Sequence, residues 1–232
     1  MPAIDFICLA NSYKEKRRCV AGLRTDGSGW VRPVSDRVHG ELEYNQYRYP
    51  DKSEPRVLDV IHAGVSIPRP LAHQPENWLI DETPWRPVER PASAERAPVL
   101  AAAISHDPLL FGSPGGAVPM EYLASHPAAS SLALVRPAGI RWHNLPPMPD
   151  GKKRPRAAFR LGNAHYDLPL TDPAYAKTLN MLGPGDHPAR DLWIPEDRKQ
   201  LFTISLSEPF DGICYKLVAA VVVIPAAWDA VF

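Results

Sequence analysis

The stretch Gly27-Ser-Gly-Trp-Val-Arg-Pro-Val-Ser35 predicts a short strand that follows a glycine turn. Because side chains alternate along a strand, Trp30 and Arg32 share one face and Val31 lies on the other. Pro33 cannot donate a hydrogen bond to a ladder, so it ends regular pairing or marks a sheet edge. An aromatic ring beside a guanidinium is suited to stacking on a base and binding a phosphate. The alternative is that Trp30 plugs a small barrel and Arg32 is merely solvated.

The composition is that of a globular chain with an excess of proline. Of 232 residues, 45% are hydrophobic and 22% are charged, and 27 are proline. Proline interrupts helices and central strands, so short strands, long ordered loops and few long helices are expected. The formal net charge is zero. Any nucleic-acid binding must therefore come from local basic patches and should depend only modestly on salt.

The cysteines and the apolar segments favour a cytoplasmic location without membrane contact. Cys8, Cys19 and Cys214 form no CxxC pair, which indicates free thiols in a reducing compartment and no metal site. The first residues, MPAIDFICLANS, do not have the pattern of a signal peptide. The longest apolar run, residues 217–227, contains a proline and is far shorter than the ~20 residues that span a bilayer.

Short apolar and alternating runs predict a mainly β chain with short helices. The predicted strands are residues 4–10, 18–24, 30–34, 56–67, 131–137, 156–161, 164–170, 201–207 and 215–224, and the predicted helices are 98–104, 119–124 and 173–182. About five short strands in each half fit a small Greek-key barrel of the OB type. We therefore predict an OB-like barrel at 1–80, a proline-rich connector with short helices at 81–130, and a second OB-like barrel at 131–232.

A weak internal repeat supports two similar halves. The segment FICLANS followed by RCVAGL near the start resembles FTISLSEP followed by CYKLVAAV near the end, and the tetrapeptide WVRP at 30–33 resembles LVRP at 134–137. The repeat predicts that the two halves superpose. Because the matching pairs lie at opposite ends of the chain, the terminal strands could instead complete one barrel together.

Several segments together resemble the bacterial dual-OB-domain proteins. They are CLANS with RCVAG, GWVRPVS, HQPENW, SLALVRP, FRLGNAHYDLPLTDP and SLSEPFDGICYKLVAAV, taken in this order and spacing. The resemblance covers most of the chain and is weak at 81–130 and 140–155. It implies two OB-like barrels and nucleic-acid binding in prokaryotic antiviral defence. It supplies no catalytic residues.

Two short basic clusters are candidate nucleic-acid contacts. Lys14, Lys16, Arg17 and Arg18 belong to a predicted hairpin turn, and Lys152, Lys153, Arg154 and Arg156 precede a predicted strand. Basic side chains interleaved with aromatic rings are typical of single-strand binders, where charges follow the backbone and rings stack on bases. The alternative for each cluster is a solvated loop.

The segment His73-Gln-Pro-Glu-Asn-Trp78 places an imidazole, a carboxylate, an amide and an indole within one predicted loop. Asn77 could hydrogen-bond a base edge and Trp78 could stack on it. His73 and Glu76 could instead act as an acid/base pair, and the third interpretation is a loop whose polar groups cap neighbouring backbone.

These patterns lead to one functional hypothesis and two alternatives. Phosphate-loop, dinucleotide, zinc-protease, hydrolase-elbow and zinc-deaminase motifs are absent from the sequence. We predict a non-catalytic module that binds nucleic acid, single-stranded rather than duplex, without cofactor or metal. The alternatives are a nucleotide sensor or enzyme with a pocket at His73, Glu76 and Asn77, and a module that binds a protein partner. The predicted nucleic-acid contacts are Lys14, Lys16, Arg17, Arg18, Trp30, Arg32, Asn77, Trp78, Arg136, Trp142, Lys152, Lys153, Arg154 and Arg156.

Overall fold

The computed structural model describes residues 3–14, 16–149, 151, 153–195 and 197–232. The strands are β1 Ala3–Lys14, β2 Arg17–Arg24, β3 Trp30–Val34, β4 Val60–Pro68, β5 Asn77–Ile80, β6 Arg86–Glu89, β7 Ile104–Ser105, β8 Ala117–Pro119, β9 Leu132–Val135, β10 Ala138–Leu145, β11 Arg154–Leu161, β12 Ala164–Pro169, β13 Gly185–His187, β14 Gln200–Leu206 and β15 Ile213–Val223. The α-helices are α1 Tyr44–Tyr47, α2 Ala97–Ala102, α3 Met120–Ser125 and α4 Pro173–Met181. The chain is mainly β, as predicted.

Strands β1 to β5 form a closed Greek-key barrel, called barrel 1 below. Strand β1 pairs antiparallel with both β2 and β4, β2 pairs with β3, and β5 lies between β3 and β4. The β3–β5 pairing is parallel, whereas β4–β5 is antiparallel. The short helix α1 follows β3 and precedes β4. This closed order is that of an OB-like barrel.

The second half repeats this connection order, and its strands are called barrel 2. Its first strand is split into β9, which pairs with β14, and β10, which pairs with β11. Strand β11 pairs with β12, and β14 pairs with β15. Leu170, directly after β12, forms a parallel bridge with Val218 of β15, and α4 connects β12 to the strands that follow. Barrel 2 is therefore a looser version of barrel 1, with one bridge where barrel 1 has a parallel ladder.

The internal repeat falls on strands that are not equivalent in the two barrels. FICLANS and RCVAGL are in β1 and β2, but FTISLSEP and CYKLVAAV are in β14 and β15, which correspond to β4 and β5. The two terminal hairpins do not complete one barrel together. They pack face to face: Ala10 and Ala21 of barrel 1 contact Ala219 and Ala220 of barrel 2 in one buried cluster. The repeat marks the contact between the barrels.

The residues that join the barrels are mostly apolar. Ile7, Leu9 and Leu23 of barrel 1 share a buried cluster with Leu134 and Leu201 of barrel 2. Residues of α2 in the connector are part of the same cluster, and β6, β7 and β8 extend the edges of both barrels. A buried polar contact adds to it, since the Thr203 hydroxyl donates to the Leu9 carbonyl at 2.6 Å. The domain boundaries at 80 and 131 stay a prediction.

Two details explain how close packing is achieved. A Cβ added to Gly22 would lie 1.9 Å from the carbonyl oxygen of Ile7, so only glycine fits at this position of the β1–β2 pairing. Asp172 caps α4: its Oδ1 accepts from the backbone N–H of Ala174 at 3.0 Å. Its Oδ2 accepts from the N–H of Val221 at 3.0 Å, which fixes the helix to β15.

Most predicted strands are confirmed, but several strands of the structure were not predicted, among them β5 and β10. The His73–Trp78 segment was expected to be a loop throughout, but β5 begins within it at Asn77. The strand is short and its polar first residue hides the alternation on which strand prediction depends. Because β5 closes barrel 1 against β3, Trp78 is a strand residue whose position is fixed by the ladder.

Candidate nucleic-acid interface

The outer face of strands β1 to β3 in barrel 1 is covered by barrel 2. Ile7, Leu9, Ala21 and Leu23 on this face are all buried between the barrels. Trp30 is half-buried and packs against the same clusters. In OB folds this strand face is the usual oligonucleotide surface. In barrel 1 it serves instead as the docking surface for the other half of the molecule.

Arg32 lies at the end of this covered face, inside a polar network that joins the barrels. Its Nε donates to Glu76 Oε1 at 3.0 Å, and both side chains are 2% exposed. Its Nη2 donates to the Ser131 hydroxyl at 2.8 Å and to the Ser205 hydroxyl at 3.2 Å. Glu76 also accepts from the Ser131 backbone N–H at 2.9 Å. The buried pair is thus satisfied by groups from both halves of the chain.

The titration behaviour of the pair agrees with this geometry. Burial alone raises the pKa of the Glu76 carboxyl, but the Arg32 charge and the hydrogen bonds from Ser131 outweigh burial and hold that pKa below its usual value. Burial lowers the pKa of Arg32, while nearby Cys19 and Glu76 raise it, with a net upward direction. Both groups therefore stay charged at neutral pH, and neither acts as a proton donor or acceptor there.

Two predicted nucleic-acid contacts are wrong because their side chains are inside the protein. Arg32 is neither solvated nor free to bind a phosphate, since it is buried in the Glu76 ion pair. Trp142 points into barrel 2, is 1% exposed and lies 5.5 Å from the Phe202 ring. Burial of Arg32 could not be predicted from the sequence, because its partners come from segments far along the chain.

Three further predicted contacts have limited access to a nucleic acid: Trp30 and Trp78 are partly exposed, and Asn77 is buried. Trp30 and Trp78 are both half-buried, and the Arg24 guanidinium lies 5.8 Å from the Trp78 ring. Asn77 is 3% exposed, and its side-chain amide lies 3.3 Å from that of Gln74. Asn77 cannot reach a base edge from this position, so that expectation is corrected.

The first basic cluster is largely paired with carboxylates. Lys14 contacts Glu208 at 2.8 Å, Arg17 contacts Glu43 at 3.3 Å, and Arg18 contacts Glu54 at 3.3 Å. The Arg18 guanidinium also lies over the Tyr13 ring at 4.5 Å. Lys16 is exposed. The cluster therefore carries less free charge than its sequence indicates.

The second basic cluster leads into an open face of barrel 2. Lys152 lies outside the described residues. Lys153 is exposed and donates to the Asn180 carbonyl, Arg154 donates to the Pro146 carbonyl at 2.7 Å, and Arg156 donates to Asp167 at 2.9 Å. Arg136, in the break between β9 and β10, is also exposed.

The outer face of β10, β11 and β12 is exposed or half-exposed and mainly basic. It is the counterpart of the covered face of barrel 1, and we call it the basic face. Its charged residues and histidines are Arg141, His143, Arg154, Arg156, Arg160, His165 and Asp167. Arg160 lies opposite His165 across the β11–β12 ladder, and His143 lies opposite Arg156 across the β10–β11 ladder.

The basic face was only partly found from the sequence. Arg160 was missed as a contact, although RPRAAFRL at 154–161 alternates basic or small residues with buried Ala157, Phe159 and Leu161. That alternation was the available signal: a strand with an apolar inner face and a basic outer face. Asp167 accepts from Arg156 and Asp186 from Arg141, so the face keeps two arginines, Arg154 and Arg160, with no carboxylate contact among the described residues.

The three residues of the predicted alternative pocket do not face one site. Glu76 is in the buried ion pair, and Asn77 is buried beside Gln74. His73 points elsewhere: its Nε2 lies 2.9 Å from Glu208 Oε2 of barrel 2. His73 and Glu76 therefore do not form an acid/base pair.

A cleft of about 380 Å³ opens between the barrels beside Glu208, the residue that His73 contacts. Its walls come from the β1–β2 turn and the loop before β5 in barrel 1, and from the β14–β15 loop in barrel 2. Lining residues include Tyr13, Lys14, Arg32, Gln74, Glu208 and Phe210. This cleft could not be identified from the sequence, since Glu208 and Phe210 are far along the chain from the lining residues of barrel 1.

Neither a metal-binding cluster nor a membrane-spanning helix is found among the described residues. Within the described ranges, no three His, Cys, Asp or Glu side chains are grouped so that they could hold a metal ion. Among the helices of the described residues, none has the length and apolar character required to cross a bilayer.

A chain of two OB-like barrels with a basic strand face belongs to the broad class of OB-fold proteins. The family model of the dual OB-containing domain matches residues 4–221, so the chain belongs to that family. The resemblance noted from the sequence motifs is thereby confirmed. Comparison with curated proteins and with solved structures finds no significant match.

Proposed function

We propose that the protein is a non-catalytic module that binds single-stranded nucleic acid through the basic face of barrel 2. The observation that carries this proposal is the contrast between the two strand faces: one is buried by the partner barrel, and the other is open and carries four arginines. OB folds of this family type are compatible with nucleic-acid binding. A role in prokaryotic antiviral defence stays a prediction of the family resemblance.

The chemistry of the basic face supports backbone contacts rather than base readout. Arginines bind phosphate oxygens in bidentate geometry, and imidazoles such as His143 and His165 can stack on unpaired bases. The face runs across three neighbouring strands, which matches the path of a single strand over an OB sheet. The zero net charge of the whole chain makes such a local face the required source of attraction.

Fluorescence anisotropy with labelled oligo(dT) and oligo(U) at low salt tests the proposal. The double variant Arg156→Ala/Arg160→Ala should weaken binding about 10-fold or more, because each lost phosphate contact also reduces counterion release. The matched control is Arg56→Ala/Arg86→Ala, which removes the same charge from exposed positions outside barrel 2. Equal losses in both variants, or no binding by the native protein at low salt, would reject the basic face as the site.

A further inference from the structure

The cleft between the barrels has features of a small-molecule site that are separate from the basic face. Its volume of about 380 Å³ is within the range of ligand pockets. Two aromatic rings line it, one from each barrel: Tyr13 is 52% exposed and Phe210 is 68% exposed. Single exposed aromatics are ordinary, but two that border one cleft give it flat apolar surfaces suited to a planar ring.

The polar end of the cleft already holds one anion, which is a side chain of the protein itself. Glu208 Oε1 lies 2.8 Å from Lys14 Nζ, and Glu208 Oε2 lies 2.9 Å from His73 Nε2. Burial raises the pKa of Glu208, but the hydrogen bond from His73 and the Lys14 charge outweigh burial and lower it to about 2. A fully charged carboxylate therefore occupies two donors that would equally suit a phosphate.

The floor of the cleft is polar. Arg32 and Gln74, both buried, line it beside the ion pair that joins the barrels. With its amide oriented so that both ends are satisfied, Gln74 accepts from Arg32 at 3.2 Å and donates to Glu208 at 3.2 Å. Gln74 thus links Glu208 directly to Arg32 in the floor of the cleft. A ligand that moves Glu208 would free Lys14, His73 and the Gln74 amide at once.

We propose that this cleft binds one nucleoside monophosphate unit, with its base against Tyr13 and Phe210 and its phosphate in place of Glu208 at Lys14 and His73. Glu208 then acts as an internal competitor for the phosphate. The unit can be a free nucleotide or the phosphorylated end of a strand, since both present the same base and phosphate. The site is independent of the basic face and does not require the proposed strand binding.

Isothermal titration calorimetry with AMP, UMP and inorganic phosphate tests the site. Glu208→Gln should tighten AMP binding about 5- to 10-fold, because it removes the competing charge and leaves the donors in place. Glu54→Gln is the matched control, since Glu54 pairs with Arg18 and does not line the cleft. If the contacts of Glu208 with Lys14 and His73 (the Glu208 clasp) only hold the barrels together, Glu208→Gln lowers the melting temperature and leaves AMP affinity equal or weaker. The proposal then fails.

A second variant keeps the test independent of the clasp. Phe210→Ala should weaken AMP binding about 5-fold or more and leave the melting temperature nearly unchanged, because the ring is largely exposed. The control is Trp193→Ala, which removes an aromatic ring that is 84% exposed and outside the cleft. An equal affinity for AMP in Phe210→Ala and the native protein would contradict the site.

Two comparisons separate the sources of the ligand and the two proposals. A 5′-phosphorylated dT oligonucleotide that binds more tightly than its unphosphorylated form, in a manner sensitive to Phe210→Ala, identifies the strand end as ligand. AMP binding without that difference identifies the free nucleotide. Arg156→Ala/Arg160→Ala should leave AMP binding unchanged. No heat of binding for AMP, UMP or the 5′-phosphorylated strand end rejects the cleft, while binding of oligo(dT) through the basic face would stand or fall by its own test.

Discussion

The outer faces of the first three strands differ sharply between the two barrels. In barrel 1 this face carries Ile7, Leu9 and Leu23, and it is buried against barrel 2. In barrel 2 it carries Arg156 and Arg160, and it is open. The same strand face thus packs against the other barrel in barrel 1 and presents charged side chains to solvent in barrel 2. The outward-facing side chains determine whether the face is buried or exposed. A ligand-binding surface in one barrel therefore cannot be inferred for the other from the fold alone.

The largest expected effect comes from breaking the ion pair beneath the covered face. Arg32→Met should lower the free energy of unfolding by about 3–5 kcal/mol, because Glu76 would be left buried without its cation. Urea denaturation measures the loss. The double variant Arg32→Met/Glu76→Leu should be less destabilised than the sum of the single variants. A change below about 1 kcal/mol in Arg32→Met would show that the pair is not a joint between the barrels.

Trp30→Ala should have the next largest effect. Because the ring is half-buried between the barrels, we expect a loss of about 2–3 kcal/mol of unfolding free energy, less than for the fully buried Trp142→Ala. Oligonucleotide affinity should stay within about 2-fold of that of the native protein, a change of about 0.4 kcal/mol, because Trp30 lies between the barrels and outside the basic face. Thermal melting together with anisotropy checks both parts. Weaker binding with unchanged melting would restore Trp30 as a stacking residue.

A smaller effect separates the basic residues of the two barrels. Arg160→Ala should lower the slope of log affinity against log salt by about one, the value for one lost phosphate contact. Lys16→Ala, in the exposed turn of barrel 1, should leave that slope unchanged. Anisotropy titrations at several salt concentrations measure the slope. If Lys16→Ala reduces it as much as Arg160→Ala does, the strand also crosses barrel 1.

The smallest effect concerns the acid stability of the clasp between the barrels. The pKa of Glu208 is lowered to about 2 in the folded protein, so the stability from its contacts is complete above the ordinary carboxyl pKa and is lost as the pH falls towards 2. Glu208→Gln should therefore flatten the pH dependence of melting in this window, by no more than about 1 kcal/mol. Glu82→Gln, at an exposed position, is the control. An identical pH dependence in Glu208→Gln and the native protein would contradict the role of Glu208.

The fold was largely predictable because most of the long strands carry their own signal. Alternation in RPRAAFRL and the apolar runs of β1 and β15 mark strands without knowledge of their partners. Burial of Arg32 could not be predicted, because it depends on Glu76, Ser131 and Ser205 meeting from separate segments. The repeat was seen but misinterpreted: similar residues recur in the β1–β2 and β14–β15 hairpins, which meet at the small-residue contact, although their strands are not equivalent in the two barrels.

The small-residue contact between the hairpins has a consequence for how such a gene can evolve. Ala10, Ala21, Ala219 and Ala220 let the two backbones approach closely, and larger side chains there would force the barrels apart. A gene fragment for either half would yield a product with a bare apolar flank. Recombination that copies or exchanges one barrel alone therefore meets a physical obstacle, whereas duplication of the whole chain meets none. We therefore expect the two barrels to be copied or exchanged together during evolution.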